Sequence, residues 1–565
     1  MLIVSRINGK IFWGAIRKWI NMNIRNVEGQ LVDVISGAIV PARIVIQDDK
    51  IVGIERRSHA PDVYILPGFI DSHVHIESSL LCPSRFSEAA VPHGTTCVIT
   101  DPHEIANVLG MKGIEFMLKD SKKTPMRIYF TVPSCVPATE METSGAILTW
   151  KEVKELLMLP EFVALGEVMD VQSVLAERED IVRKIEVAKL LGKPIDGHAP
   201  SLSGDALDRY IFAGISTDHE CVSFEEALEK HRKGMKIMVR EGSTSKDLKP
   251  LAQFARKHEF FLVTDDLHAL DLRKGHIDDL LRKAVSMGID PISAVRSVTL
   301  WPAKHYGLPL GSIEIGESAD IVIVDDLKDF NVLQVYISGK LVAEKGRTLF
   351  KVEPENLDYN MIEQRISPTE FEIHVDKEKR KVRARVIRVV PDQDISYSDV
   401  AELNVIDGVV QVDLQQDVLY ASVVCRYERK KPALGFIKGF KLKKGAIASS
   451  VAHDAHNIIA VGVDANSIAT AVEHVSQVGG YCATDGMKTI TLALPIAGLM
   501  SNEDCETVCE KESKINELVR TMGCDLEAPF MTLSFQSLLV VPELKICDRG
   551  LFDSIQFKLV DPIID

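Results

Sequence analysis

Pro67-Gly68-Phe69-Ile70-Asp71-Ser72-His73-Val74-His75 is an apolar run that ends in two histidines two positions apart. Residues i and i+2 of a strand share a face, so both imidazoles point the same way and can hold one divalent ion. Outward from this run, its pattern repeats: a short apolar stretch, a polar end, then a helical segment. Eight such runs occupy 65–75, 95–104, 127–134, 162–170, 194–200, 214–220, 236–243 and 260–266. Helix formers fill most of the gaps, as at 152–158, 181–191 and 224–231. Buried runs alternating with helices predict a parallel sheet. Eight of them across about 235 residues predict an α/β fold, a (β/α)8 TIM-like barrel over 67–300 with its active site at the strand C-termini. The polar ends of the runs fall there.

The flanks read differently. Within 1–66, Ile11, Phe12, Ile16, Trp19 and Ile20 recur at helical spacing. They predict an N-terminal helix that packs on the main domain, the alternative being a helix on a membrane surface. Short strands follow at 31–35, 42–47 and 51–54. Residues 301–352 return to strands, at 311–315, 320–324, 332–338 and 340–342, expected to complete one small β-sandwich domain with the N-terminal strands. Residues 353–368 are polar and read as a linker. Residues 369–565 read as a C-terminal α+β domain that could cover the active site, with a strand at 382–389 and helices at 467–478 and 503–521.

The 565 residues carry a formal net charge of −15, with 46% hydrophobic and 26% charged residues. That is the mix of a globular protein, and the acidic balance argues against a nucleic-acid partner. No run of 18 apolar residues is present, so no membrane-spanning helix is expected. Arg6, Lys10, Arg17 and Lys18 interrupt the N-terminal stretch and oppose a signal peptide, so a cytoplasmic location is expected. Ten cysteines without a paired framework read as reduced thiols. Cys505 and Cys509, four apart on the expected helix, read as buried thiols rather than metal ligands. A homo-oligomer, with a dimer favoured, is expected, although no interface is legible.

The later runs add ligands to the first. They end in Glu167, His198, His219 and the pair Asp265-Asp266. His73, His75, Glu167, His198, His219 and Asp265 thus converge as four imidazoles and two carboxylates, a set suited to zinc, manganese or iron but not to calcium. His73, His75 and Asp265 are expected to hold one ion, His198 and His219 another, with Glu167 as the bridge. Two ions sharing a hydroxide make a strong nucleophile near neutral pH, and Asp265 beside it can move the proton. Asp101 and Asp218, at other strand ends, are expected to orient ligand imidazoles.

The first run resembles the opening strand of the amidohydrolase superfamily. The longer match resembles its bacterial and archaeal adenine deaminase family, from residue 27 to the C-terminus. It is carried by 73–81, Pro92-His93-Gly94-Thr95-Thr96, Asp101-Pro102-His103-Glu104-Ile105-Ala106-Asn107-Val108-Leu109-Gly110, Arg240-Glu241-Gly242-Ser243 and Ser449-Ser450-Val451-Ala452-His453-Asp454-Ala455-His456-Asn457. The resemblance implies hydrolytic deamination of adenine to hypoxanthine and ammonia in purine salvage, by a metal-bridging hydroxide. It also implies a binuclear Mn2+ or Fe2+ centre, Zn2+ being possible, on the same six ligands.

Attack at C6 of adenine places negative charge on the ring and requires an acid for the departing amine. Glu77 could protonate N1 or merely cap a helix. His103 and Glu104 could bind the purine edge or support the ligands behind it. Asp265, Glu77, His103 and Glu104 are thus the catalytic candidates. Asp266 could accept from the amine or a ring N–H. Arg240 could reach substrate or pair with Glu241. His453 and Asp454 could contact substrate or form part of a lid, and His268 could touch substrate. Two rival readings follow from the same superfamily. One is an N-acyl or cyclic-amide hydrolase, although cyclic-amide relatives often use a carboxylated lysine where this chain has Glu167 and no lysine in 165–170. The other is a non-catalytic scaffold, opposed by the complete ligand set.

Overall fold

The computed structural model describes residues 24–391 and 393–564. The helix expected within residues 11–20 lies outside the described residues. The eight runs contain eight barrel strands: β1 (Phe69–Val74), β2 (Thr95–Thr100), β3 (Arg127–Val132), β4 (Phe162–Val168), β5 (Ile195–Gly197), β6 (Thr217–Asp218), β7 (Lys236–Arg240) and β8 (Phe261–Val263). β1 to β5 pair in parallel in sequence order, and so do β6 to β8. Two seams close the ring. Ser216 N–H donates to the Ile195 carbonyl at 2.9 Å across β5 and β6. Beyond β8, Asp265 N–H donates to the His73 carbonyl and His75 N–H to the Asp265 carbonyl, each at 3.0 Å. The second seam is therefore made by three residues of the expected metal site.

Every residue of β1 and β2 is buried, which is why these parallel strands read as continuous apolar runs. Ile99, Ala164, Met238, Phe261 and Val263 fill the barrel interior. The outer helices follow local rules. In Trp150–Leu157, Thr149 and Glu152 form a reciprocal capping box, and the helix buries Val153, Leu156 and Leu157.

The strands on both sides of the barrel join into one eight-stranded sheet. Tyr64–Pro67, which runs through Gly68 into β1, sits at the middle of it. It pairs in parallel with Ile24–Val32 and antiparallel with Ile321–Val324. The strand expected at 311–315 does not form. Gly311 and Gly316 take φ of 87° and 96°, so the segment turns at both ends; Ile313 packs inward while Ile315 stays exposed.

The C-terminal part carries a nine-stranded sheet. Helix Ala465–Val478, capped by Asp464, packs on it. Residues 351–367 have no regular structure, yet they are tied down. Glu355 N–H donates to Asp120 at 2.7 Å, and buried Gln364 donates to the Cys425 carbonyl at 2.9 Å. Two short helices, Pro529–Ser534 and Phe535–Ser537, lie over the barrel mouth. All ten cysteines are free thiols. Among the described residues, no helix is long and apolar enough to cross a membrane.

Candidate active site

All six expected ligands meet in one buried cluster at the C-terminal ends of β1, β4, β5, β6 and β8. The register of β1 against β2 shifts between Asp71 and Val74, and such an irregularity re-aims side chains locally. His73 Nε2 and His75 Nε2 lie 3.2 and 3.1 Å from Asp265 Oδ1. Asp265 sits at φ 59°, a left-handed conformation that aspartate tolerates better than most residues. Glu167 stands between the two halves. Its Oε1 is 3.2 Å from His75 Nε2, and its Oε2 is 3.0 Å from His198 Nδ1 and 3.2 Å from His219 Nε2. Burial opposes ionisation of Glu167, but His219, His198 and His75 hold its carboxyl well below the usual range.

The geometry fits divalent cations. His73 Nε2 is buried without a hydrogen-bond partner although Asp265 Oδ1 is near. Ligand atoms of His73, His75 and Asp265 lie within 4.8 Å of one another, as do those of His73, Glu167 and His219. Imidazole nitrogens and carboxylate oxygens that converge in this way in a buried cluster are the donor set of a transition-metal site. His198, His219 and Glu220 form a further such group. Glu220 was not among the expected residues, although it directly follows His219 at the end of its run.

A polar layer holds these ligands. Asp71 accepts from Thr264, joining β1 to the end of β8, and His276 Nε2 lies 3.3 Å from the same carboxylate. The carbonyl of Asp101 lies 3.1 Å from His75 Nδ1, and its carboxylate accepts from Glu167 N–H at 3.2 Å. Gly166 makes room for it, since a Cβ there would lie 2.0 Å from Asp101 Oδ2. Asp218 departs from expectation. It orients no imidazole but accepts from Ala199 N–H at 2.8 Å and pairs with buried Lys230 at 3.0 Å, so it fixes the loop after His198.

Arg240 and Glu241 do not pair with each other. Arg240 lies against Glu220, Asp247, Asp265 and Asp394, while Glu241 pairs with Lys283 at the rim. Arg240 lines the cavity, but its guanidinium is engaged by four carboxylates. Burial opposes ionisation of Glu220, yet Arg240 and His198 bring its carboxyl down to about 2.

Helix His103–Leu109 begins at the end of β2 and brings its first two residues to the cavity. His103 Nδ1 is 3.5 Å from Glu167, and His103 Nε2 is 3.3 Å from Glu104 and 3.6 Å from Asp454. Glu104 is gripped by two histidines of the C-terminal part, Oε1 by His453 and Oε2 by His456. Asp266 lines the same cavity and accepts from Ser78. Burial and Asp265 raise the Asp266 carboxyl above its usual range.

Glu77 takes up the capping role among its two expected ones, and His268 bonds away from the cavity. Glu77 turns its Oε1 toward the helix N-terminus, accepting from Ile105 N–H at 3.3 Å, because the first-turn amides of that helix need an acceptor. Its other oxygen, Oε2, is buried without a hydrogen-bond partner; burial, with Glu104 nearby, pushes its carboxyl up to about 7. His268 bonds Glu512 at 2.8 Å instead of facing substrate space. The sequence reading also missed Met169, Asp394, Phe535 and Leu538 on the cavity wall. Three are apolar, and Asp394 lies in a loop of the C-terminal part, far along the chain from the barrel, so no local signal marked them.

Residues 64–342 match the amidohydrolase family, and residues 395–558 match the adenine deaminase C-terminal domain. An adenine deaminase of Methanothermobacter thermautotrophicus is 48% identical over 540 residues, covering 94% of this chain and 99% of that one. The chain belongs to the adenine deaminase family. Adenine deaminases of Sulfurovum sp. and Borreliella burgdorferi are 44% and 40% identical, covering 95% and 96% of this chain and 99% and 100% of their own lengths. Among solved structures, N-acetyl-D-glucosamine-6-phosphate deacetylase from Mycobacterium smegmatis aligns with a TM-score of 0.44 and 15% identity, covering 56% of this chain and 99% of that one. The two matched segments divide the adenine deaminase site. All six candidate ligand residues fall in the amidohydrolase segment, whereas His453, Asp454, His456, Phe535 and Leu538 fall in the C-terminal one.

Proposed function

We propose that this chain deaminates adenine hydrolytically to hypoxanthine and ammonia, with two divalent cations, Mn2+ or Fe2+, held by His73, His75, Glu167, His198, His219 and Asp265. The observation that carries this is the single buried cluster in which Glu167 faces both histidine groups, roofed by the segment matching the adenine deaminase C-terminal domain. When bound, such cations lower the pKa of water enough to supply a nucleophile at neutral pH.

The protein's own groups do the rest. Asp265, with Arg240 on its Oδ2 and the β1 histidines on its Oδ1, is fixed to take a proton from the attacking water and return it to the leaving amine. His103, between Glu167 and the Glu104–Asp454 pair, can donate to a ring nitrogen. Burial opposes its charged form, but Glu104, Asp101 and Asp454 raise its pKa well above the ordinary imidazole value. Asp266, with Ser78 on one oxygen, can accept from the purine edge. The wall around them is buried, which strengthens each of these interactions by excluding water.

The test compares Mn2+-loaded with chelated protein, following adenine absorbance and ammonia release. Metal-dependent formation of hypoxanthine is expected, with Glu167→Gln losing at least one equivalent of metal and activity falling by about 1000-fold or more. Metal-replete protein that leaves adenine unchanged overturns the assignment, and unchanged metal content and turnover in Glu167→Gln overturns the bridging role.

A further inference from the structure

We infer that Phe535 is the specificity-determining face of the site, the surface on which the flat ring of the substrate stacks. The inference rests on the adenine reading above and names what in the C-terminal part recognises the ring. Apart from Met169, Phe535 and Leu538, every residue lining the cavity is titratable. Imidazoles and carboxylates can satisfy the edges of a purine, where its donors and acceptors lie. Carboxylates cannot favourably cover its two faces, which carry no hydrogen-bonding group, and the imidazoles at the barrel end already pack on one another; a free aromatic ring can.

Phe535 is built to present such a ring. It is 2% exposed and lies parallel to the imidazole of His453, with centroids 4.9 Å apart and planes at 18°. Phe535 packs with Met531, Leu538 and Val541 in a small apolar cluster separate from the main core. Its backbone is anchored as well. Lys545 Nζ donates to the Phe535 carbonyl at 3.1 Å and to the Asp394 carbonyl at 2.7 Å. The Asp394 carboxylate in turn lies 3.4 Å from Arg240. The ring is thus fixed relative to the groups that hold Asp265, so a base stacked on Phe535 keeps a set height above the cluster. A substrate without a flat π-face would gain nothing from this wall, which separates heteroaromatic amines from simple amides.

The test uses Mn2+-loaded full-length protein and the variants Phe535→Leu and Phe535→Tyr. Three quantities are measured in each: bound metal, kcat and KM for adenine, and inhibition by hypoxanthine and by acetohydroxamic acid. The hydroxamate binds metal but has no ring. Phe535→Leu is expected to keep its metal, to lose about 10-fold or more in kcat/KM, mainly through KM, and to bind hypoxanthine correspondingly more weakly. Its inhibition by acetohydroxamic acid should not change. Phe535→Tyr, which keeps a π-face, should stay within about threefold of the parent. Equal weakening of both inhibitors, or loss of metal in Phe535→Leu, shows a merely structural ring and overturns the inference, as does unchanged hypoxanthine binding. Failure of the unaltered, metal-loaded protein to deaminate adenine strikes the functional reading instead.

Discussion

Arg240 Nη1 lies 3.2 Å from Asp265 Oδ2, while the other oxygen of that carboxylate faces His73 and His75. The arginine therefore fixes which oxygen of Asp265 is turned to the histidines and which is held back. On Glu220 it meets Oε1, the same oxygen that lies beside His198 and His219. One guanidinium thus braces both halves of the ligand cluster.

Arg240→Lys keeps the charge but removes the planar fork, so it cannot serve these carboxylates at once. Activity of the Mn2+-loaded variant is expected to fall about 10- to 100-fold, the range for residues that orient ligands. Steady-state kinetics with adenine, alongside metal analysis, checks this. Full activity in Arg240→Lys would mean that the bracing is idle.

Glu104 joins the barrel to the C-terminal part through His453 and His456. Burial opposes protonation of His453, but Glu104 raises its pKa to about 9. Glu104→Gln would leave that imidazolium buried without its counter-charge. Breaking one partner of a buried pair costs about 3–5 kcal/mol. Denaturant unfolding of the metal-loaded variant should show a loss of that order; a loss under 1 kcal/mol would mean the two parts are held together elsewhere.

Lys545 gives a pH signature. Burial depresses its pKa from 10.5 to about 7, with nearby Asp394 opposing the shift. Between these values the unfolded chain binds more protons than the folded one, so stability rises with pH across that window. Below pH 7 the lysine is charged in both states, and its full burial cost is present. Relative to Lys545→Met, the parent should gain stability from pH 7 to pH 10, by an amount on the order of 4 kcal/mol at one pKa unit per 1.36 kcal/mol. Unfolding curves of both proteins at the two pH values decide it; a constant difference between them contradicts the depressed pKa.

The barrel and its ligands were legible because physics writes them locally. A strand buried on both faces must be apolar throughout, and its chemistry can only emerge at its end, as in 162–170 with Glu167. The His73–His75 spacing states a shared face directly. Glu77 stayed open between two roles because a carboxylate two residues beyond a histidine pair reads alike whether it meets substrate or the Ile105 amide. Phe535 and Leu538 were silent for the opposite reason. An apolar residue in a short helix looks like core, and only the tertiary fold shows that one side of it faces a cavity of charges. Residues 311–315 read as a strand from composition, but Gly311 and Gly316 bend the chain instead.

The central position of Tyr64–Pro67 in the eight-stranded sheet also governs how the molecule can be made. One of its neighbours, Ile24–Val32, is synthesised before it; the other, Ile321–Val324, leaves the ribosome only after the whole barrel sequence has been translated. At about 5–20 residues per second, that interval is on the order of ten seconds to a minute. Throughout it, the strand that leads into His73 and His75 has one unpaired edge, and until Asp265 is made β1 also lacks its closing contacts. The nascent chain therefore carries an open, strongly apolar flank for nearly half of its synthesis. Premature termination before residue 321 should give a product that aggregates rather than a smaller working enzyme.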